Sequence, residues 1–179
     1  MTDWQGVLQM GNPESAKIAL RDEIIAMARV DQDVRRRWLE NRGDTKIAGE
    51  LHEIDMRNTA RMREIVETFG WPGKSLVGES AAQWAWCLVQ HADSDRELQQ
   101  RCLDLMTAAG PDEVSPRTVA YLVDRLKVAC GEPQVYGTQF ATDAEGKFGP
   151  LPIENVAQVD ERRSAVGLET LEEYRQSWR

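Results

Sequence analysis

The stretch 79-ESAAQWAWCLVQHAD-93 decides the fold that this sequence predicts. Up to Val89 it is apolar on nearly every face, and a helix without a polar face belongs in the middle of a helical protein. It ends at Gln90-His91-Ala92-Asp93, where polar residues mark the change from helix to turn. The sequence therefore predicts a central helix that carries a histidine at its C-terminal end.

Amphipathic patterns on both sides of this stretch predict four further main helices. Long helices that are joined by short turns lie antiparallel, so we predict a mainly α fold, a helical bundle of about five main helices. Their ends are set by capping residues, by Pro at a first helical position and by Gly. They run from Pro13 to about Asn41, from Asp44 to Gly70, from Glu79 to Val89, from Ser94 to about Met106, and from Pro116 to Gly131.

The composition changes after Gly131. Segment 134–140 has the β-branched and aromatic content of a strand, and segment 143–146 is rich in turn formers. We predict a small C-terminal β-hairpin, with Gln134, Tyr136 and Thr138 on one face of its first strand. Two short terminal helices should follow, at about 156–166 and 170–178.

Length and charge narrow the class of protein. The 179 residues predict a single domain, in which residues 1–50 could form a peripheral helical arm. The net charge of −8 opposes nucleic-acid binding, which depends on clustered Lys and Arg. Within Arg35-Arg36-Arg37 the acidic flanks favour a solvated helix face with local ion pairs. The chain shows neither a signal peptide nor eighteen consecutive apolar residues, which favours a cytoplasmic protein without a membrane partner.

Cysteine and histidine spacing predicts no cofactor. The cysteines are widely spaced among apolar neighbours, which indicates small buried hydrophobic side chains in a reducing compartment, not a disulfide frame or a zinc site. Histidines and acidic residues that could bind a metal ion lack the H-E-x-x-H spacing, so we predict no metal. The residues concerned are Cys87, Cys102 and Cys130, and then His52, Asp55, His91 and Asp93.

His91 is the first candidate for catalysis. An imidazole at the exit of an apolar helix can point into a cleft and act as general acid or base. The alternative is a histidine that caps the C-terminus of its own helix. Asp93, Asp55 and Asp124 are the candidates that could orient the ring.

Neutral polar side chains are the candidates for binding a substrate. Asn58 follows Asp55 by three residues and so shares its helix face. A tryptophan in the loop that Pro72 interrupts is expected to plug the core or to wall a pocket. Each candidate has a structural alternative as part of a solvated face or of a hydrogen-bond network. The candidates are Asn58, Trp71, Gln90, Gln134, Tyr136 and Gln139.

Several short motifs together resemble a widespread family of uncharacterised bacterial proteins, a domain of unknown function. They are Gly70-Trp71-Pro72, Ser75-Leu76-Val77-Gly78-Glu79, Gln90-His91-Ala92-Asp93 and Gln134-Val135-Tyr136-Gly137-Thr138-Gln139, and the similarity runs from about Asp55 to the end. The resemblance implies a bacterial origin and a single domain, and it transfers no activity. It also implies that the family's polar positions include Asp55, Asn58, Gln90, His91, Asp93, Gln134, Tyr136 and Gln139.

Two hypotheses about function stay open at this point. The first is a small enzyme in which His91 acts as general acid or base on a small polar substrate, by hydrolysis or group transfer. The second is a non-enzymatic binding, accessory or immunity-type protein, in which the same motifs form structural networks and the acidic, Trp-rich surface meets a protein partner. The sequence does not determine the substrate or the oligomeric state.

Overall fold

The structure is a computed structural model that describes residues 12–177. The predicted mainly α fold with a small C-terminal hairpin is confirmed. Trp178, at which the last helix was expected to end, lies outside the described residues. In chain order the elements are α1 Pro13–Glu40, α2 Thr45–Phe69, α3 Lys74–Val77, α4 Glu79–Gln90, α5 Arg96–Ala109, α6 Pro116–Ala129, β1 Phe140–Thr142, β2 Phe148–Pro150, a 3₁₀ helix Val156–Gln158, α7 Val159–Ala165 and α8 Leu171–Gln176.

Contacts divide the chain into two compact units. Unit 1 ends at Glu113 and contains α1 to α5, and unit 2 begins at Val114 and contains α6, the hairpin and the short terminal helices. The expectation of one domain stays a prediction, because a division by contacts does not test whether either unit folds alone.

Unit 1 is built around α4. This helix contacts α1, α2, α3 and α5, which is the central position that its apolar sequence predicts. Buried aliphatic and sulfur-containing side chains form the core. Although α1 and α2 exceed twenty residues, no helix among residues 12–177 has the apolar length that a membrane span requires. The most deeply buried core residues of unit 1 include Leu20, Ile24, Met62, Ile65, Leu88, Leu98 and Met106.

Side-chain caps determine where the helices begin. Asn12 accepts a hydrogen bond from the backbone N–H of Glu14 at 3.1 Å, as its sequence position predicts. The start predicted for α5 at Ser94 was one residue early, because the N-cap is Asp95. One oxygen of Asp95 accepts the backbone N–H of Leu98 at 3.0 Å, and the same carboxylate binds Arg63. A carboxylate suits this position better than a hydroxyl, since its charge also meets the helix dipole.

The hairpin of unit 2 lies further along the chain than predicted. β1 pairs with β2 in an antiparallel register, with Phe140 opposite Pro150 and Thr142 opposite Phe148. Residues 135–139 are not a strand, although Gln134 forms an isolated bridge with Ile153. The predicted alternation of Gln134, Tyr136 and Thr138 on one strand face is therefore wrong.

The carboxylate of Asp124 explains why this segment leaves the sheet. Its two oxygens accept the backbone N–H groups of Val135, Tyr136 and Thr138 at 2.7 to 3.2 Å. The Thr138 hydroxyl donates a further bond at 2.9 Å. These donors are consequently not available to a neighbouring strand. Gly137 allows the backbone to turn around this carboxylate, since its φ is 69° and a Cβ there would lie 2.7 Å from Ile153.

We expect Asp124→Asn to destabilise unit 2 by about 3 kcal/mol, because the amide presents a donor to backbone N–H groups that need an acceptor in a buried place. Asp124 is fully buried. Urea unfolding at neutral pH, followed by circular dichroism, measures the loss. Glu145→Gln, at an exposed position in the same unit, is the matched control. Equal stability of both variants would contradict a structural role for Asp124.

Candidate functional site

Two pairs of side chains, each pair separated by one helical turn, meet inside unit 1. Asp31 and Arg35 are four residues apart on α1, and Cys87 and His91 are four residues apart on α4, so each pair lies on one helix face. α1 packs against α4, and α2 adds a carboxylate from the side. We call this group the His91 cluster. It consists of Asp31, Gln32, Arg35, Asp55, Cys87 and His91.

His91 closes α4 and turns its side chain toward α1. Its backbone N–H donates to the carbonyl of Cys87 at 3.1 Å, the last bond of the helix. The buried amide of Gln99 donates to the carbonyls of Val89 and Gln90 at 3.2 and 3.3 Å. Since a neighbouring side chain already satisfies these terminal carbonyls, the imidazole can bond elsewhere.

The imidazole of His91 meets a buried carboxylate. Its Nδ1 lies 3.0 Å from each oxygen of Asp31, whose side chain is 1% exposed, whereas that of His91 is 20% exposed. Burial opposes ionisation of Asp31, but hydrogen bonds and charges from His91 and Arg35 outweigh it, so the pKa of Asp31 lies below its ordinary value. Asp31 is therefore a fixed negative charge beside the ring.

Arg35 joins this pair to α2. Its Nε lies 3.2 Å from Asp31 and 3.0 Å from Nδ1 of His91, and its Nη2 bonds Asp55. Burial and the nearby charge of Asp31 raise the pKa of Asp55 above its ordinary value, while Arg35 opposes that rise. The expected local ion pair of Arg35 is present, with Asp31 one turn away, but the side chain is only 24% exposed, so the expectation of a solvated face is wrong for this residue.

Two hydrogen-bond arrangements compete at Nδ1 of His91, and the buried charge of Asp31 favours one of them. A neutral imidazole carries one N–H, so Nδ1 either donates to Asp31 or accepts from Arg35. If Nδ1 donates, the buried carboxylate gains a charge-assisted bond and the Nε–H of Arg35 still has Asp31 as acceptor. If Nδ1 accepts, Asp31 loses a donor. The first arrangement leaves a free lone pair on Nε2, the atom that a general base needs.

Nε2 of His91 faces a thiol. Sγ of Cys87 lies 3.9 Å from Nε2, and Nε2 of Gln32 lies 3.6 Å from the same sulfur. The prediction that all cysteines are buried hydrophobes is correct for Cys102, but Cys87 is half-buried in a polar cluster and Cys130 is exposed. Each of the three lies outside any disulfide among the described residues, as expected. Packing of α4 on α1 brings polar groups to Cys87 that its apolar sequence neighbours do not reveal.

Part of the cluster has the composition of a metal site. Asp31, Cys87 and His91 each offer a ligand atom, and these atoms lie within 4.8 Å of one another. In the described structure, N–H groups of Arg35 and Gln32 already donate to the same carboxylate, and the guanidinium adds a positive charge beside it. These donors and the positive charge compete with a metal ion for the carboxylate oxygens. The absence of a cofactor stays a prediction.

The structure places the other predicted residues of unit 1 at different positions. Asp55 joins the cluster through Arg35, whereas Asp93 is exposed and accepts a bond from Gln99 at 3.4 Å. The ring of His91 is held by Asp31, which the sequence analysis did not select as an orienting residue. The amide of Asn58 is buried without a hydrogen-bond partner among residues 12–177, and so is the indole N–H of Trp71. The backbone carbonyl of Gln90 receives Gln99.

In unit 2 the remaining candidates form a hydrogen-bond network. Gln134 is fully buried, and its amide donates to the carbonyls of Gln139 and Leu151 and accepts the N–H of Gln139. The backbone of Tyr136 bonds Asp124 through its N–H and Arg163 through its carbonyl. These bonds fold the segment after α6. The described hydrogen bonds of Asp124 go to residues of its own unit, and its role beside His91 stays a prediction.

One feature of the sequence could have indicated Asp31, the orienting residue that was not predicted. The buried positions of α1 follow a stripe in which Ala28 and Val34 flank Asp31 at three-residue spacing. An acidic residue on the apolar stripe of an amphipathic helix must have a partner, because an unpaired buried charge is costly. Cys87 carried a weaker signal, since it lies one turn before His91 on the same helix. Arg35 followed from neither pattern.

The two carboxylates of the cluster should affect stability with opposite pH dependence. The pKa of Asp31 is lower in the folded protein than in the unfolded chain, so ionised Asp31 stabilises the folded state above about pH 4. This contribution disappears as the pH falls through the folded-state pKa. The pKa of Asp55 is higher in the folded protein, so protonated Asp55 stabilises the folded state at low pH. This contribution disappears as the pH rises through the folded-state pKa. We therefore expect Asp31→Asn to cost about 2 kcal/mol near neutral pH and less in acid. Asp55→Asn should cost less near neutral pH than in acid.

Urea unfolding curves of both variants at several pH values measure this difference. Asp112→Asn, at an exposed acidic position of unit 1, corrects for general effects of charge. Costs that change with pH in the same direction for Asp31→Asn and Asp55→Asn would show that the assigned electrostatics of the cluster are wrong.

Comparison with known proteins identifies a family of unknown function, as the resemblance predicts. The model of a family of unknown function (DUF6624) matches residues 18–178. The match begins well before Asp55, so it includes most of α1 and the whole His91 cluster. No curated protein and no solved structure matches the chain significantly. Because the family model covers most of the sequence, this protein belongs to that family of unknown function.

Proposed function

We propose that the chain is an enzyme in which His91 acts as a general base on a small polar substrate, in a hydrolysis or group-transfer reaction. The observation that carries the proposal is the 3.0 Å contact between Nδ1 of His91 and the buried carboxylate of Asp31. Such a carboxylate orients the ring, selects one tautomer and stabilises the imidazolium that forms when the base takes a proton. Asp31 is accordingly a positioning residue.

The surroundings of the ring support chemistry more than capping. The side chain of His91 is one-fifth exposed, whereas that of Asp31 is almost fully buried. Arg35 sits beside the pair and lowers the cost of burying Asp31 and Asp55 together. A histidine that only capped its helix would not need a buried carboxylate on another helix.

The alternative is a non-enzymatic binding or accessory protein. The observation that favours it is the network around Asp124, Gln134 and Tyr136, in which polar motif residues hold the chain together. If the His91 cluster has the same purpose, its hydrogen bonds serve stability alone. The composition arguments for a cytoplasmic protein that does not bind nucleic acid apply to both functions.

Tautomer measurement by nitrogen-15 NMR tests the proposal. We expect His91, once neutral, to carry its proton on Nδ1, because Asp31 accepts it and the alternative leaves that carboxylate short of a donor. Exposed His52 is the internal control and should show the Nε2–H form that prevails in solution. Long-range proton–nitrogen correlations distinguish the two forms.

The variant Asp31→Asn provides the matched comparison. Its amide can donate to Nδ1, so the preference of His91 for the Nδ1–H form should weaken or reverse while His52 is unaffected. A wild-type His91 that is protonated on Nε2 has no lone pair facing the thiol. That result would contradict the general-base proposal and favour the structural alternative.

A further inference from the structure

We propose that Cys87 is the nucleophile of this site and that the protein transfers or hydrolyses the acyl group of an ester or thioester through an acyl-cysteine intermediate. The inference rests on the proposed role of His91 as base. It adds the reacting atom and the class of substrate, and it is carried by the arrangement of three side chains from α1 and α4.

The three side chains have the order of a nucleophile, a base and an orienting carboxylate. Sγ of Cys87 is 3.9 Å from Nε2 of His91, and Nδ1 of the same ring is 3.0 Å from Asp31. The first distance is slightly longer than a tight hydrogen bond, as is common before a substrate is bound. Because one helix carries both Cys87 and His91 at a spacing of four, the backbone holds the thiol and the base in register.

A second polar group also reaches the sulfur. The amide of Gln32 lies 3.6 Å from Sγ of Cys87 and 2.8 Å from Asp31. An N–H donor beside sulfur favours the thiolate over the thiol, and the thiolate is the reactive form of cysteine. The amide of Gln32 thereby bonds both the proposed nucleophile and the orienting carboxylate.

The other two cysteines provide contrasts within the same chain. Cys102 is fully buried, and burial raises the pKa of its thiol to about 12, so it should be inert. Cys130 is exposed at the end of α6, where reagents can reach it. Only Cys87, among these three, combines partial exposure with a nearby imidazole.

The proposed reaction balances without any further reagent. As Sγ attacks the acyl carbon, its proton moves to Nε2 of His91, and the carbonyl electron pair moves to oxygen. The carbonyl then re-forms, the bond to the leaving alcohol or thiol breaks, and His91 returns the proton to that leaving group. Water, deprotonated by His91, next attacks the acyl-cysteine, which releases a carboxylic acid and the free thiol. Another alcohol or amine in place of water completes a transfer.

The charge of the cluster indicates which acyl compounds fit. With a neutral imidazole, Asp31 and Asp55 carry two negative charges and Arg35 carries one positive charge. Both carboxylates already bind the guanidinium, so it is not free to hold an anion. A phosphate ester would therefore meet a repulsive field, whereas a neutral or cationic acyl compound would not.

Acetylation by p-nitrophenyl acetate, a small neutral ester, tests this inference. We expect a burst of p-nitrophenolate and an acetyl adduct on Cys87, formed about tenfold faster than on Cys130. Intact-mass measurement and peptide mapping identify the modified residue. The reaction is run on the full chain with a chelator present, so that no metal ion occupies the thiol.

Variants separate this inference from the proposed function. We expect Cys87→Ser to abolish the burst, Cys130→Ser to leave it unchanged, and His91→Gln to slow acetylation of Cys87 to the rate of Cys130. Melting curves check that each variant is folded. Since His91→Gln could disturb packing, alkylation of the wild type by iodoacetamide over a range of pH gives a second readout. We expect Cys87 to react at a lower pH than Cys130 does.

The possible contrary results have different meanings. If ester hydrolysis persists in Cys87→Ser but is lost in His91→Gln, the histidine activates water directly, so the cysteine inference is wrong and the proposed function stands. If Cys87 reacts no faster than Cys130 in the wild type, the cysteine inference is likewise wrong. If Cys87 reacts equally fast in the wild type and in His91→Gln, the cysteine inference and the general-base role of His91 are both wrong.

Discussion

A carboxylate buried on the packing face of α1 is the constraint on which the candidate site depends. Asp31 is almost fully shielded from water, and an isolated charge in such a place would cost more than most single interactions can return. It is tolerated because Arg35, His91 and Gln32 all direct polar hydrogens or positive charge at it. The helices that carry these groups must therefore keep their register, which ties the chemistry of the site to the packing of unit 1.

Unit 2 also contains a buried carboxylate, but its partners are of a different kind. Asp124 is also a fully buried carboxylate, but its partners are backbone N–H groups and one hydroxyl, not titratable side chains. Arg163 complements it by binding the carbonyls of Tyr136 and Glu169. A carboxylate bound to backbone shapes a loop, whereas a carboxylate bound to an imidazole changes what that imidazole can do. The same residue type thus has a structural role in one unit and a proposed catalytic role in the other.

Much of the helical architecture could be predicted because its causes are local. The starts of α1 and α6 follow from Asn12 with Pro13 and from Pro116, and the central position of α4 follows from its lack of a polar face. Prediction failed where a distant side chain competed with local preference. Segment 135–139 has strand composition, yet Asp124 binds its N–H groups first. A pattern of residue types does not reveal such a competitor, because it acts from another helix.

The sequence by itself determined the helix pattern, the place of the hairpin near the C-terminus and the choice of His91 as the residue to examine. Only the tertiary structure decided what His91 meets. Its selection relied on position at a helix end, which is a local property, but its partners come from α1, about sixty residues away in sequence. Asp31 and Arg35 reach His91 beside Cys87 because α1 packs on α4, and that packing results from burial of the apolar face of α1. The chemistry of a side chain follows from its residue type alone. Which helix faces meet depends on the total apolar surface that both helices bury, and a single residue does not reveal that.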